Sequence, residues 1–132
     1  MYTMKETSQR VKMTYEALKF YCNEGLVPNV KRDKNNHRIF DDRDVSWIEG
    51  LTCLRKCGMS ISDMKVYMEH CMIGEESIPD RKAMLDIQRK ILIDKIRELN
   101  ESVEYIDSKQ KFYDDVLEGR IKYFSNLISV VD

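Results

Sequence analysis

The sequence predicts a mainly α-helical fold: a small domain of four short helices and one hairpin, followed by a single long helix. Three observations carry this reading. Charged residues are 34% of the 132, with only 5 Gly and 2 Pro, too much charge for a membrane protein and too few breakers for a β-sandwich or barrel. Capping residues stand ahead of short apolar-periodic segments in the first half, and beyond residue 80 apolar residues recur every seven positions. A mass of 15.7 kDa leaves room for about one compact domain, or a small domain plus one elongated element.

No stretch approaches the ~18 consecutive apolar residues of a spanning helix. Residues Met1 to Glu6 lack the apolar core of an export signal, so a cytoplasmic protein is expected. The net charge of −1 hides a split, +3 over residues 1–58 and −4 over 59–132. Only the first half suits an anionic partner.

The first helix is opened by Thr3-Met4-Lys5-Glu6, whose hydroxyl and carboxylate can each satisfy an orphan backbone donor, and runs to about Val11. Thr14 caps a second, which Gly25 ends. On this helix Leu18, Tyr21 and Cys22 share one face, with Glu16, Lys19 and Phe20 opposite. Two short helices so closely joined predict a helix-turn-helix over about 3–25. Residues 29–41 differ in kind: Asn35-Asn36 can populate the positive-φ positions of a tight hairpin turn. Between Val27 and Arg43 stand Lys31, Arg32, Lys34, Arg38 and Arg43. A basic hairpin after a helix-turn-helix is a wing.

Asp42 is expected to cap a third helix, about 42–57, with Trp47, Ile48, Leu51 and Leu54 on one face and Gly58 as its stop. Ser60-Ile61-Ser62-Asp63 opens a fourth, about 60–71. Gly74 to Pro79 reads as a linker. From there Leu85, Leu92, Leu99, Ile106 and Tyr113 alternate with Arg89, Ile96, Val103, Gln110 and Leu117 in a heptad seam of about five repeats. Such a helix, about 50 Å long, has no internal partner and needs a second copy. The expected domains are therefore 1–74 (winged helix), 75–118 (dimerisation coiled coil) and 119–132, an apolar tail at helical spacing that folds back on something.

The pattern Thr14-x-x-Ala17-Leu18-Lys19-Phe20-Tyr21-x-x-x-Gly25-Leu26-x-Pro28, then Arg38-x-Phe40, then Cys57-Gly58-Met59-Ser60-Ile61, resembles the mercury-resistance regulator (MerR) family of bacterial transcription factors. The resemblance covers residues 2 to about 118. It implies a winged helix-turn-helix dimer, joined by an antiparallel coiled coil, that distorts an overlong promoter spacer for RNA polymerase. Lys19 stands where the family usually has Arg, Phe20 and Phe40 where it has Tyr, Cys22 where it has an acid, and Lys12 and Asn36 where it often has Gly. The expected DNA contacts are Thr14, Tyr15, Lys19 and Tyr21 on the second helix and Arg32 and Arg38 in the wing: cations and a helix N-terminus for phosphates, a groove-facing helix for base edges; for Tyr21 the face it shares with Leu18 leaves core packing as an equal alternative.

Four cysteines, Cys22, Cys53, Cys57 and Cys71, form no Cys-x-x-Cys pair, so a structural zinc site is not expected. Without an export signal the thiols are expected reduced and, by default, inert. The family's metal sensors carry cysteines near the start of the long helix and after it; none stands beyond Cys71, so no metal or other cofactor is expected. An aldehyde- and electrophile-responsive subgroup carries a lone cysteine in the setting Trp47-Ile48-Glu49-x-x-x-Cys53, and its members, like this chain, end soon after the long helix. On the helical wheel Cys53 lies ~160° from Leu51, the centre of the apolar stripe, which makes it the candidate effector-sensing residue for a small electrophile. Two other readings differ in class. A coiled-coil protein-interaction adaptor would bind indifferently to DNA competitors. A thiol enzyme using Cys53 and His70 has no visible oxyanion site, so no catalytic residue is expected.

Overall fold

The computed structural model describes residues 1–130; Val131 and Asp132, the end of the expected tail, lie outside the described residues. Two compact units divide the chain, Met1–Leu92 and the residues from Ile93 on. The first holds β1 (Tyr2–Thr3), α1 (Met4–Arg10), α2 (Tyr15–Asn23), β2 (Lys31–Arg32), β3 (Arg38–Phe40), α3 (Asp42–Lys56) and α4 (Ile61–Ile73). A short 3₁₀ turn, Glu75–Ser77, leads into α5 (Ile78–Leu117), which continues into the second unit.

The N-terminal caps follow from side chains the sequence displays. Thr3 accepts from Glu6 N while the Glu6 carboxylate accepts from Thr3 N, both at 3.1 Å. Thr14 accepts from Ala17 N at 3.1 Å, and Ser60 from Asp63 N at 3.0 Å. The third helix corrects the sequence expectation by one residue. Its cap is Asp41, which accepts from Asp44 N at 2.8 Å while Asp44 accepts from Asp41 N at 3.0 Å, leaving Asp42 as the first helical residue.

Helix C-termini repeat one motif. After α2, Gly25 N donates to Cys22 O and Leu26 N to Tyr21 O; after α3, Gly58 N donates to Arg55 O and Met59 N to Leu54 O. This paired arrangement needs a left-handed residue after the cap, and Gly25 and Gly58 supply it at φ 76° and 87°. Helix α1 ends the same way, Lys12 N to Gln9 O and Met13 N to Ser8 O, but its left-handed residue is Lys12, at φ 57°. Within the hairpin turn Asn36 is the residue at positive φ, 62°.

The sheet has three strands in the order β1-β3-β2, all pairs antiparallel, with Tyr2 opposite Phe40 and Arg32 opposite Arg38. β1 is absent from the sequence expectation because two residues carry no periodicity. Tyr2 is nonetheless pinned at both ends, its hydroxyl donating to Asp42 at 2.7 Å and its ring lying under the Arg10 guanidinium at 4.3 Å. One core closes the unit: Leu18, Leu26, Phe40, Ile48, Leu51, Met59 and Met64 are all at most 1% exposed. Trp47 lies at its edge and donates its indole N–H to Leu26 O at 2.7 Å.

Where a linker was expected, Ser77 is buried and its hydroxyl bonds to the His70 and Gly74 carbonyls. Arg81 donates to Ser77 Oγ at 2.9 Å and to Gly74 O, so the joint is braced. Pro79 falls in the first turn of α5, where a missing N–H costs nothing. Gln88 is the buried residue of α5 among those described and donates to Cys57 O at 2.7 Å, satisfying a carbonyl at the end of α3. Farther along, the seam faces solvent: Ile96, Leu99, Val103 and Ile106 are each more than half exposed.

In the second unit α5 ends with Gly119 N bonded to Val116 O and Arg120 N to Asp115 O, and the Arg120 side chain pairs with Asp115 at 2.8 Å. The apolar tail is not helical over residues 119–130, contrary to its spacing. It turns back on the helix, Phe112 meeting Phe124 and Tyr123 with ring centroids 4.8 and 6.4 Å apart.

Two predictions follow from these local geometries. The left-handed region costs an L-residue about 1–2 kcal/mol, and the extra unfolded-state freedom of Gly costs up to about 1. Lys12→Gly is therefore expected to stabilise the fold by up to about 1 kcal/mol in urea unfolding, and Asn36→Gly by less, because Asn tolerates the region. The Asp41 carboxylate is held down to about 2 by the N–H of Asp44 and by Lys31 Nζ, 2.9 Å away. A depressed folded pKa stabilises fully above the unfolded carboxylate value and is lost as pH falls through the folded one. Between pH 4 and pH 2 the melting temperature is expected to fall more steeply in the wild type than in Asp41→Asn, which retains a capping oxygen but no charge.

Candidate nucleic-acid interface

The core determines which side chains α2 and the wing turn outward. Leu18 is fully buried and Tyr15, Lys19 and Phe20 are exposed, Tyr15 by 49%. Phe40 anchors β3 from below, so the hairpin beyond it projects with Arg32 exposed and Arg38 half-buried. The Arg38 guanidinium donates to Asn23 Oδ1 at 2.8 Å, which ties the wing to the C-terminal end of α2. Arg32 donates to Asn36 O at 2.9 Å and closes the hairpin from its own strand. Lys31 holds the base of the wing to the start of α3 through Asp41.

The turn is built by Asp33, whose Oδ1 accepts from the N–H groups of Asn35 and His37, both at 2.9 Å. Those donors hold its carboxyl below the ordinary aspartate value. Asp33 is thus committed to shaping the turn.

Between α1, α2 and the wing lies an open cleft of about 290 Å³. It brings Tyr15 together with Arg32 and Arg38, and adds Lys5 and His37. Three cations from three elements converge on one concave surface, the electrostatic form of a phosphate-binding groove. Lys5 and His37 went unread in the sequence because nothing in their spacing says that α1 packs beside the wing. Thr14 is spent as the α2 cap, and Lys19 is exposed one turn beyond Tyr15. Tyr21 stands apart from the other expected contacts. It is 7% exposed and belongs to the core, because it shares the face of Leu18.

Burial raises the Cys22 thiol, a shift opposed by the nearby Arg38 and Arg32. Cys53 is exposed, while Cys57 and Cys71 are half-buried. The outward position of Cys53 agrees with its place on the helical wheel.

A three-stranded wing beside a capped helix-turn-helix, with a basic cleft between them, defines a winged-helix DNA-binding protein. Residues 2–71 match the profile of the MerR HTH family regulatory proteins, and the chain belongs to that family. It is 35% identical over 112 residues to an HTH-type transcriptional regulator of Haemophilus influenzae, covering 85% of this chain and 83% of that protein. It is 33% identical over 89 residues to the HTH-type transcriptional regulator AdhR of Bacillus subtilis, covering 67% of this chain and 64% of that one. Among solved structures it resembles HiNmlR, a MerR family regulator lacking the sensor domain and bound to promoter DNA (TM-score 0.74, 33% identity, 89% and 94% of the two chains). A MerR family regulator of Listeria monocytogenes superposes with a TM-score of 0.79 at 27% identity, over 89% of each chain. The protein is a MerR-family DNA-binding transcriptional regulator.

Proposed function

We propose that the protein binds a promoter as a homodimer, with Tyr15 and Lys19 of α2 in the major groove and Arg32, Arg38 and Lys5 on flanking phosphates. The observation that carries this is the convergence of Tyr15 of α2 with Lys5 of α1 and the wing arginines on one cleft, together with the promoter DNA bound by HiNmlR. Thr14 leaves an N-terminal turn pointing outward, suited to a phosphate. Tyr21 supports the helix from within. Dimerisation is assigned to α5, because a seam of exposed Leu, Ile and Val is stable in water only against another apolar surface. An antiparallel pairing is the family arrangement. The expected division of the chain, with 1–74 reading DNA and 75–118 pairing, goes with this reading.

In this reading regulation acts on DNA shape at nearly constant occupancy, so RNA polymerase at the promoter responds to distortion rather than to release. The effector must prefer one dimer geometry. A small electrophile captured by the exposed Cys53 is the proposed trigger, placed on a face of α3 that its own core leaves free. No catalytic step and no cofactor are required, and the cytoplasm is the compartment in which promoter and reduced thiol coexist.

Arg38→Ala is expected to weaken binding to promoter and random duplexes alike and to flatten the dependence of log K on log salt by about one. Fluorescence anisotropy across a salt series measures this, and an unchanged slope removes Arg38 from the phosphate contacts. Cys53→Ser is expected to abolish the transcriptional response to aldehydes while leaving operator affinity and dimerisation unaltered. A Cys53→Ser protein that still responds, beside a Cys57→Ser or Cys71→Ser protein that does not, moves the sensor to another thiol.

A further inference from the structure

In the second unit the tail and α5 enclose a cleft of about 530 Å³. Its floor is the wrong side of α5 for pairing. Taking Ile106, Gln110 and Tyr113 as the seam, Tyr105, Ser108 and Phe112 lie ~120–180° from its centre at ~100° per residue. A helix face turned to water ordinarily carries polar residues. Here it carries two rings one heptad apart, and the non-helical tail turns back onto it with Tyr123 and Phe124. Tyr113 also lines the cleft, so the site adjoins the seam.

The rings are in contact but not covered. Phe112 meets Phe124 and Tyr123 at centroid distances of 4.8 and 6.4 Å, in tilted arrangements of the kind that favour aromatic pairs. Packing stops there: Tyr105 is 64% and Phe124 62% exposed. Each wall thus keeps a ring largely in water. The volume falls within the roughly 300–1,000 Å³ of small-molecule sites, and a flat ligand of two fused rings can make the same tilted or offset contacts with both walls.

Charge selects among flat ligands. Lys109 is the one charged residue lining the cleft among those described, and its ammonium lies 5.8 Å from the Tyr105 ring centroid. Asp115, two turns along on the same helix, is already taken by Lys111 and Arg120, at 2.9 and 2.8 Å. A cation held over a ring at the wall of an apolar cleft attracts an anion whose body is aromatic. One lysine balances one negative charge, whereas the several charges of a nucleotide would stay uncompensated. Ser108 and Asn126, also on the cleft, carry hydroxyl and amide donors suited to carboxylate oxygens.

We propose that this cleft binds one planar aromatic monocarboxylate per chain, with its rings between Tyr105 and the Phe112–Phe124 pair and its carboxylate on Lys109. Binding is noncovalent. The site is independent of Cys53 and of the DNA contacts.

The probe is 2-naphthoate, titrated calorimetrically into the full-length protein, with 2-naphthalenemethanol as its uncharged counterpart. Naphthoate binding is expected to saturate at one per chain and to be at least fivefold tighter than that of the alcohol. Lys109→Gln is expected to lower naphthoate affinity at least fivefold while leaving the alcohol within twofold, a pattern that loss of folding does not produce. Phe124→Ala is expected to weaken both at least fivefold. Absence of saturable naphthoate binding, an alcohol that binds as tightly, or unchanged affinity in either variant overturns the site. In the unaltered protein the amide signals of Lys109, Phe112 and Phe124 are expected to shift on titration. Shifts confined to Tyr15, Arg32 and Arg38 put the anion in the basic cleft and overturn the proposal. An apparent affinity that falls as protein concentration rises shows that a second copy covers these rings, and overturns it too.

Discussion

The DNA-binding unit depends on one constraint: Leu18, Phe40, Ile48 and Leu51 must share a single water-free core. Each comes from a different local context, α2, the wing strand β3, and two turns of α3. Burying them together fixes the direction of three elements at once. The outward face of α2 and the projection of the hairpin are consequences. Tyr15, Arg32 and Arg38 meet at one cleft because Leu18 and Phe40 meet beneath them. Burying side chains of this size contributes about 1.5–3 kcal/mol each, far more than any exposed ion pair on the surface above.

Around that core the small polar contacts act as geometric guides. Lys31 holds the base of the wing to the cap of α3, Arg38 holds its side to Asn23, and Trp47 holds α3 to the turn after α2. These are single hydrogen bonds or ion pairs, each of modest net worth. Their value lies in direction, since a two-residue strand such as β2 has too few ladder bonds to orient a hairpin. The reciprocal cap of Asp41 and Asp44 shows the same economy. Burial raises the Asp44 carboxyl while Asp41 is held low, so the outer acid remains charged for Lys31.

Helix α5 presents the opposite case, an element whose apolar surface the described chain leaves in water. Within the first unit Arg81 and Gln88 tie it down, through the Gly74 and Cys57 carbonyls. The seam has polar interruptions at Arg89 and Gln110. The tail that follows covers Phe112 but leaves Leu127 92% exposed. That exposed seam is why the dimer carries so much of the proposed mechanism.

Elements whose signal is local were legible in the sequence: the Thr3, Thr14 and Ser60 caps, the Gly25 and Gly58 stops, the hairpin turn and the heptads. Each rests on residues within four positions of one another, or on a strict period, and those interactions form wherever the backbone forms. The outward place of Cys53 was equally readable, because helical phase alone decides it. What needed the tertiary structure was every feature made between distant segments. Strand β1 exists because β3 offers an edge. The tail leaves the helix its spacing allows and meets Phe112 through Tyr123 and Phe124. Lys5 and His37 join the basic cleft because packing sets α1 beside the wing. Periodicity specifies which face of an element is apolar. Which other element covers it is decided by volume, and volume is a property of the packed molecule.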